Sequence, residues 1–165
     1  MGSKTIRRDI KMNKDCWQTP LELFNQLNDK YNFQVDACAS QENALCEHFW
    51  TEDDDCLQQD WGDENDFVWC NPPYSNPLPF VEKCQEYGYA VMLLNQDTST
   101  KWAKIVFEKS SKVILLSDRV RFINPSTLEI GKSNPKCQMI VVFDNSVEHG
   151  PVIRWCSIKD IHKNI

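Results

Sequence analysis

The chain changes abruptly from apolar to polar within the segment Phe67-Val68-Trp69-Cys70-Asn71-Pro72-Pro73-Tyr74. Its first four residues predict a buried strand, because short apolar runs rich in aromatic and β-branched residues are typical of strands covered on both faces. Two consecutive prolines end that strand, since neither has a backbone N–H to donate to a neighbour. Residues 71–74 are therefore expected at the tip of a strand, at one edge of a sheet.

Apolar runs of the same kind alternate with helical patterns along the chain. Strands are predicted at 33–38, 67–70, 90–94, 113–116 and 139–143, and helices at about 19–30, 41–46, 77–87 and 99–108. This alternation indicates a single-domain Rossmann-like α/β fold, with a mostly parallel sheet, helices on both faces and an antiparallel edge formed by the final strands. Ligands bind such sheets at the carboxyl ends of the strands, where Asp36 and Asn71 both fall.

The length and composition fit one packed domain without a membrane segment. The chain has 165 residues, of which 41% are hydrophobic, and no apolar run approaches the roughly 18 residues that span a bilayer. We expect a cytoplasmic protein with a polar leader at 1–15 and one domain at 16–165. Eight cysteines lack the C-x-x-C or Cys/His spacing of a zinc site, so we interpret them as reduced, small hydrophobic residues and expect no metal.

The net charge of −6 is unevenly distributed. Residues 36–66 contain eleven acidic and no basic residues, so the remainder of the chain carries a net charge of +5. A basic face for nucleic-acid phosphates is therefore compatible with the sequence. Basic residues occur around a polar stretch between two apolar strands, and we interpret 119–137 as a long hairpin or loop able to reach a DNA groove. A solvated basic loop is the alternative.

The tetrapeptide Asn71-Pro72-Pro73-Tyr74 suits the activation of an aromatic amine. The 6-amino group of adenine is a poor nucleophile because its lone pair is delocalised into the ring. If the Asn71 side-chain oxygen and the Pro72 carbonyl each accept one amine hydrogen, they stabilise the charge that develops on nitrogen during attack. The prolines fix the backbone for this purpose, and Tyr74 offers a flat face to a base extruded from a duplex.

This tetrapeptide resembles the catalytic motif of the S-adenosylmethionine-dependent amino methyltransferases. The wider order of segments is similar to that of the phage-type DNA adenine-6-amino methyltransferase (Dam) family. These segments are Trp17-Gln18-Thr19-Pro20, residues 35–39, Asp60-Trp61, the tetrapeptide, and residues 97–102, 119–122 and 139–143. The resemblance implies a phage or prophage enzyme that transfers a methyl group from S-adenosylmethionine to a flipped adenine in double-stranded DNA, with GATC-like sites as first candidates.

The resemblance also implies roles for individual residues. Catalytic roles are implied for Asn71, Pro72, Pro73 and Tyr74; cofactor binding for Trp17, Thr19, Pro20, Asp36, Ala37, Cys38, Glu52, Asp53 and Asp60; and DNA binding for Arg119, Arg121, Lys132 and Lys136. Within this set, Asp36 would accept from the methionine ammonium, Asp60 from the adenine amine of the cofactor, and either Glu52 or Asp53 from the ribose.

Two features leave alternatives open. Thr19 and Pro20 fit two interpretations equally well: a place in the cofactor site, or a plain N-cap followed by the first helical residue. The turn after Asp36, Ala37-Cys38-Ala39-Ser40, has no glycine where methyltransferases usually have a Gly-rich turn. The rival functions are amino methylation of cytosine, RNA or protein glutamine, and a catalytically degenerate protein that binds nucleic acid.

Overall fold

The computed structural model describes residues 17–62, 65–131, 134–148 and 150–165. The strands of this part of the chain are β1 Val35–Asp36, β2 His48–Phe49, β3 Val68–Cys70, β4 Tyr89–Asn95, β5 Lys112–Leu116, β6 Gln138–Asp144 and β7 Val152–Cys156. The helices are α1 Leu21–Tyr31, α2 Leu78–Tyr87 and α3 Lys101–Lys109, followed by a 3₁₀ helix at Ile158–Lys163. All seven strands belong to one sheet, in the order β2-β1-β3-β4-β6-β5-β7.

The sheet is mostly parallel, as predicted. Only β6 runs opposite to the others, and it pairs antiparallel with both β4 and β5. Its position differs from the expected antiparallel edge, because β6 lies inside the sheet and the outer strand β7 runs parallel to β5. An interior position suits β6, whose residues from Gln138 to Phe143 are all buried.

Two apolar layers cover the sheet, one on each face. Along β4, Ala90, Met92 and Leu94 pack in the layer that contains Val81 of α2 and Val106 of α3. The alternate residues Val91 and Leu93 pack in the opposite layer, with Leu23 and Leu27 of α1 and Ile161 of the 3₁₀ helix. Side chains of consecutive strand residues point to opposite faces, so a continuous apolar run supplies both layers. Helices on both faces are thereby confirmed.

The three helices lie close to their predicted bounds, but one capping prediction is wrong. Thr19 was expected to cap α1, whereas Pro20 occupies the cap position without a side-chain hydrogen bond. The Thr19 hydroxyl instead accepts from the Asn71 side chain, a residue 52 positions away in the chain. Thr100 is a true cap of α3, because its hydroxyl accepts from the backbone N–H of Ala103.

The short elements were the least predictable. Residues 41–43 form a turn, so the brief helix expected at 41–46 is absent. Strand β2, strand β7 and the 3₁₀ helix had no apolar pattern long enough to predict them.

No helix among the described residues is long and apolar enough to cross a membrane. The leader at 1–15, Cys16, Lys132 and His149 lie outside the described residues.

Candidate active site

Two adjacent strand ends place Asp36 and Asn71 side by side. Asp36 is the last residue of β1, and Asn71 follows directly after β3. The two strands are parallel neighbours in which Asp36 pairs with Trp69, and the N–H of Ala37 donates to the Trp69 carbonyl over 2.9 Å. Because parallel strands end at the same edge of a sheet, both polar side chains lie at the predicted ligand-binding edge.

Asp36 is a buried carboxylate that forms no ion pair within the described part of the chain. Its side chain is 3% exposed and accepts the backbone N–H groups of Leu45 at 3.1 Å and Cys38 at 3.4 Å. Burial raises the pKa of Asp36 to about 6, although the two hydrogen bonds act in the opposite direction. Among the residues that the structure describes, no lysine, arginine or histidine forms an ion pair with it. Such a carboxylate is suited to a cationic ligand.

Asn71 is held by Thr19, which enters the site from the start of α1. The Asn71 side-chain NH₂ donates to the Thr19 hydroxyl over 3.2 Å, and Thr19 is only 1% exposed. The contact fixes the plane of the amide and occupies its nitrogen. The amide oxygen is then the atom of Asn71 left to accept hydrogens from a ligand.

A shallow cleft that is open to solvent lies between these groups, with about 260 Å³ of space including the open part, and we call it the β1–β3 cleft. It brings together five of the predicted site residues, namely Trp17, Thr19, Asp36, Cys38 and Asn71. Its remaining walls come from Gln18, Asn43, Leu45 and Trp69. Of these, Gln18 lies within a predicted motif, whereas Asn43 and Leu45 belong to the connection between β1 and β2, where the sequence predicted a brief helix.

A second cavity includes Tyr74 of the tetrapeptide in its lining, and we call it the Tyr74 cavity. It is partly open to solvent, with about 340 Å³ of space including the open part, and is lined by Tyr74, Pro77, Leu94, Asn95, Asp97, Thr100, Trp102 and Lys136. The Tyr74 hydroxyl is buried and has no hydrogen-bond partner among the described residues. Burial raises the pKa of Tyr74 well above its usual range, so the hydroxyl stays protonated. Asn71 and Tyr74 of the tetrapeptide thus line two different cavities.

The chain matches a described protein family over nearly all of its length. The family described as DNA N-6-adenine-methyltransferase (Dam) matches residues 6–164. The chain is 36% identical over 148 residues to the DNA N-6-adenine-methyltransferase of Haemophilus phage HP1 (strain HP1c1), covering 85% of this chain and 84% of that protein. The chain belongs to the Dam family. It is also 33% identical over 150 residues to the DNA N-6-adenine-methyltransferase of Escherichia phage T1, covering 79% of this chain and 63% of that protein.

Membership of the Dam family confirms the predicted class, an adenine-specific DNA methyltransferase with phage relatives. The family resemblance assigned five further residues to the cofactor site, and none of them lines the β1–β3 cleft. Glu52 and Asp53 lie in an exposed turn, and Asp60 is an exposed residue that accepts the Gly62 N–H. Ala37 is a buried core residue between Asp36 and Cys38. These assignments stay predictions, as does that of Pro20, which occupies the cap position before α1.

The predicted DNA-binding residues of this Dam-family chain differ in their surroundings. Arg119 and Arg121 are exposed and form no ion pair with any described residue. Lys136 donates to Asp97 over 2.6 Å, a contact that lowers the pKa of Asp97 to about 2. Lys132 lies outside the described residues. Among the described residues of the 119–137 segment, the cationic side chains without an ion pair are therefore Arg119 and Arg121, at its start. Phe122 follows directly, and its ring centroid lies 6.1 Å from that of Tyr74.

Four cysteines form a contiguous group behind the Dam-family tetrapeptide. The Cys38 sulfur lies 3.7 Å from that of Cys70 and 4.0 Å from that of Cys56. The contact with Cys38, followed by burial, raises the pKa of the Cys56 thiol well above its usual range, and burial raises that of Cys84. These thiols stay protonated at neutral pH, so they act as small apolar residues that support the strand tips.

Proposed function

We propose that this chain transfers a methyl group from S-adenosylmethionine to the 6-amino group of an adenine flipped out of double-stranded DNA. The observation that carries the proposal is that Asn71, at the tip of β3, lines the β1–β3 cleft together with Asp36, while Tyr74 of the same tetrapeptide lines the Tyr74 cavity. A cationic donor beside Asp36 and a planar acceptor beside Tyr74 would therefore both reach this short segment.

The amine is activated by oxygen acceptors at the strand tip. Thr19 occupies the nitrogen of the Asn71 amide, which leaves the amide oxygen for the substrate amine. The Pro72 carbonyl is the second acceptor, and Pro72 has no N–H that would compete for it. Both oxygens are fixed before the substrate arrives, so little reorganisation is needed as positive charge develops on the amine nitrogen. The proton lost after transfer passes to water.

The β1–β3 cleft fits the cofactor in charge and in chemistry. S-adenosylmethionine, when bound, supplies an electrophilic methyl group on a positively charged sulfonium. Asp36 is a buried acid that meets no cation in the described chain, so it is stabilised when an ammonium group binds beside it. The Thr19 and Gln18 side chains line the same cleft and offer polar contacts to the methionine portion. Glu52, Asp53 and Asp60 remain candidates for the ribose and the adenine ring.

The Tyr74 cavity is proposed to receive the target base. Tyr74 provides an aromatic wall that replaces part of the stacking that an adenine loses when it leaves the duplex. Asn95 and Thr100 supply polar atoms beside it. We propose that the exposed Arg119 and Arg121 contact DNA phosphates, and that Lys132 and Lys136 of the same 119–137 segment also take part. We also propose that residues 16–165 form the whole methyltransferase domain, acting in the cytoplasm of a bacterial host.

Methyl transfer from a labelled cofactor tests the proposal directly. The purified chain is incubated with S-adenosylmethionine carrying a tritiated methyl group and with DNA from a host that lacks adenine methylation. Mass spectrometry of the digested nucleosides should show N6-methyladenine, and sequencing with modified-base detection should show one short target such as GATC. Parallel reactions with RNA and with protein test the alternative acceptors. Label on cytosine, RNA or glutamine, or on none of the substrates, would reject the proposal.

A further inference from the structure

The segment between β5 and β6 carries an unusual residue at its tip. Residues 123–131, which we call the 123–131 hairpin, fold back so that Ile123 bridges Ile130. Leu128 lies at the end of the turn with a backbone φ of 58° and is 74% exposed. Ile130 beside it is 64% exposed. The hairpin therefore presents two bare aliphatic side chains to solvent.

Neither backbone preference nor core packing accounts for leucine at position 128. The other non-glycine residues with left-handed φ in the described chain are Asn32 and Asp55, which are types that tolerate this conformation. Leucine is disfavoured there, and its exposed side chain contributes nothing to the core. Residues that break a local rule without a structural gain are concentrated at functional sites.

The tip is well ordered by its own hydrogen bonds. The Asn124 side chain accepts the N–H groups of Ser126 at 3.0 Å and Thr127 at 3.2 Å. The Leu128 N–H donates to the Asn124 carbonyl over 2.8 Å, and the Asn124 N–H donates to the Glu129 carbonyl over 2.9 Å. Leu128 is thus presented by a fixed turn and does not need to be ordered on binding.

Three contacts connect the hairpin to the candidate active site. Ile123 exchanges backbone hydrogen bonds of 2.8 and 2.9 Å with Gln18, which lines the β1–β3 cleft. Gly131 lies so close to the Trp17 ring that a Cβ at this position would overlap it. Phe122, directly before the hairpin, makes an edge contact with Tyr74. Leu128 is two residues from Ile130, and hence within about 7 Å of the base of the hairpin.

We propose that Leu128 is an apolar wedge that enters the DNA duplex beside the target adenine and stabilises the flipped state; this inference rests on the proposed function. Extruding a base removes its stacking and leaves a gap in the duplex, and apolar side chains inserted between base steps offset that loss. Leu128 has the required aliphatic surface, and Ile130 widens it. Arg119 and Arg121, which are exposed, provide positive charge in the residues directly before the hairpin. Glu129 is the opposing charge at the tip, and its carboxylate contacts the Thr127 hydroxyl at 3.3 Å.

The test compares paired and unpaired DNA from one preparation. Methyl transfer is measured for the wild type, Leu128→Gly, Leu128→Met and Ile153→Ala, on unmethylated duplex DNA and on the same DNA after heat denaturation. Glycine removes the aliphatic side chain and adopts the left-handed backbone conformation without strain. The variant should therefore be at least as thermally stable as the wild type. Methionine keeps an apolar side chain of similar volume. Ile153 is the matched control, an aliphatic residue of β7 that is 50% exposed.

Leu128→Gly should transfer methyl groups to duplex DNA at least about tenfold more slowly than the wild type, yet within about twofold of it on denatured DNA, where no base pair has to be opened. Leu128→Met and Ile153→Ala should match the wild type on both. If Leu128→Gly loses methyl-transfer rate equally on the two forms of DNA, or loses none on either, the proposed role of Leu128 is refuted. A wild-type chain inactive on both forms would instead refute the proposed function, and that result is visible before any variant is compared.

Discussion

Removing the charge of Asp36 should change how the stability of the chain depends on pH. Burial raises the pKa of this carboxyl from its ordinary value of 3.8 to about 6 in the folded chain. The folded state therefore keeps a proton that the unfolded state has already lost between about pH 4 and pH 6. By linkage, the free energy of unfolding falls as pH rises through this window, and the rise in pKa corresponds to about 3 kcal/mol in total.

Urea or thermal unfolding of the wild type and Asp36→Asn from pH 4 to pH 7 measures this contribution. The asparagine cannot ionise, but it loses one acceptor for the N–H groups of Leu45 or Cys38. That loss is constant with pH, so the informative quantity is the difference between the two proteins as a function of pH. We expect the wild type to lose about 2 kcal/mol more than the variant across this range, or roughly 4–8 °C in Tm for a chain of this size.

The cofactor provides the complementary half of the same prediction. An ammonium group beside Asp36 favours its ionised form, so S-adenosylmethionine should stabilise the wild type more at pH 7 than at pH 5. The same ligand should give Asp36→Asn little stabilisation at either pH. Parallel stability curves for the two proteins would show that Asp36 titrates normally. An equal cofactor effect on both would show that its charge does not face the ligand.

Four further substitutions test other parts of the structure. Asn71→Ala should lower methyl transfer by about 10²- to 10³-fold, while the cofactor should still raise the Tm of the variant. Loss of methyl transfer together with loss of the Tm increase would indicate a structural role for Asn71. Thr19→Val should lower kcat about tenfold with little change in the KM for DNA, and Thr19→Ser, which keeps the hydroxyl, should have the kcat of the wild type. An unchanged kcat in Thr19→Val would show that the contact with Asn71 is dispensable. Arg121→Ala should weaken DNA binding and reduce the slope of log K against log salt by about 1; an identical slope removes Arg121 from the interface. Leu27→Ala, at a fully buried position, should cost about 2–5 kcal/mol in urea unfolding, and a smaller cost would mean that α1 packs less tightly than described.

The sequence predicted the elements whose signal is both local and strong. Strands β3, β4, β5 and β6 are continuous apolar runs, and α1, α2 and α3 have apolar residues at helical spacing, so each was found near its observed bounds. Strand β2 has two residues and an exposed histidine, and the exposed strand β7 has an arginine at its centre. Such strands exist because a neighbour offers hydrogen bonds, and that information is not in their own residues.

The candidate site shows the same division. Asp36 and Asn71 were predicted together because both follow apolar strands, and parallel strands end at one edge. For Thr19 the sequence left a helix cap and a place in the cofactor site equally open, because cap propensity is a local property and the partner of its hydroxyl is distant in the chain. Asn43 and Leu45 reach the β1–β3 cleft from a connection that the sequence predicted as a brief helix. Leu128 had no sequence signal, since only its backbone angle and exposure distinguish it from a core leucine.

The single reversed strand has a consequence for how the chain can vary. Strand β5 ends at the functional edge of the sheet, and β6 begins at that same edge, with Gln138 opposite Asn95 at the end of β4. The connection between them therefore leaves and returns at one place, and its middle is free of the sheet. Residues added or removed in this connection would leave every strand in place, so its length and the position of Leu128 can vary separately from the strand tips that carry Asp36 and Asn71.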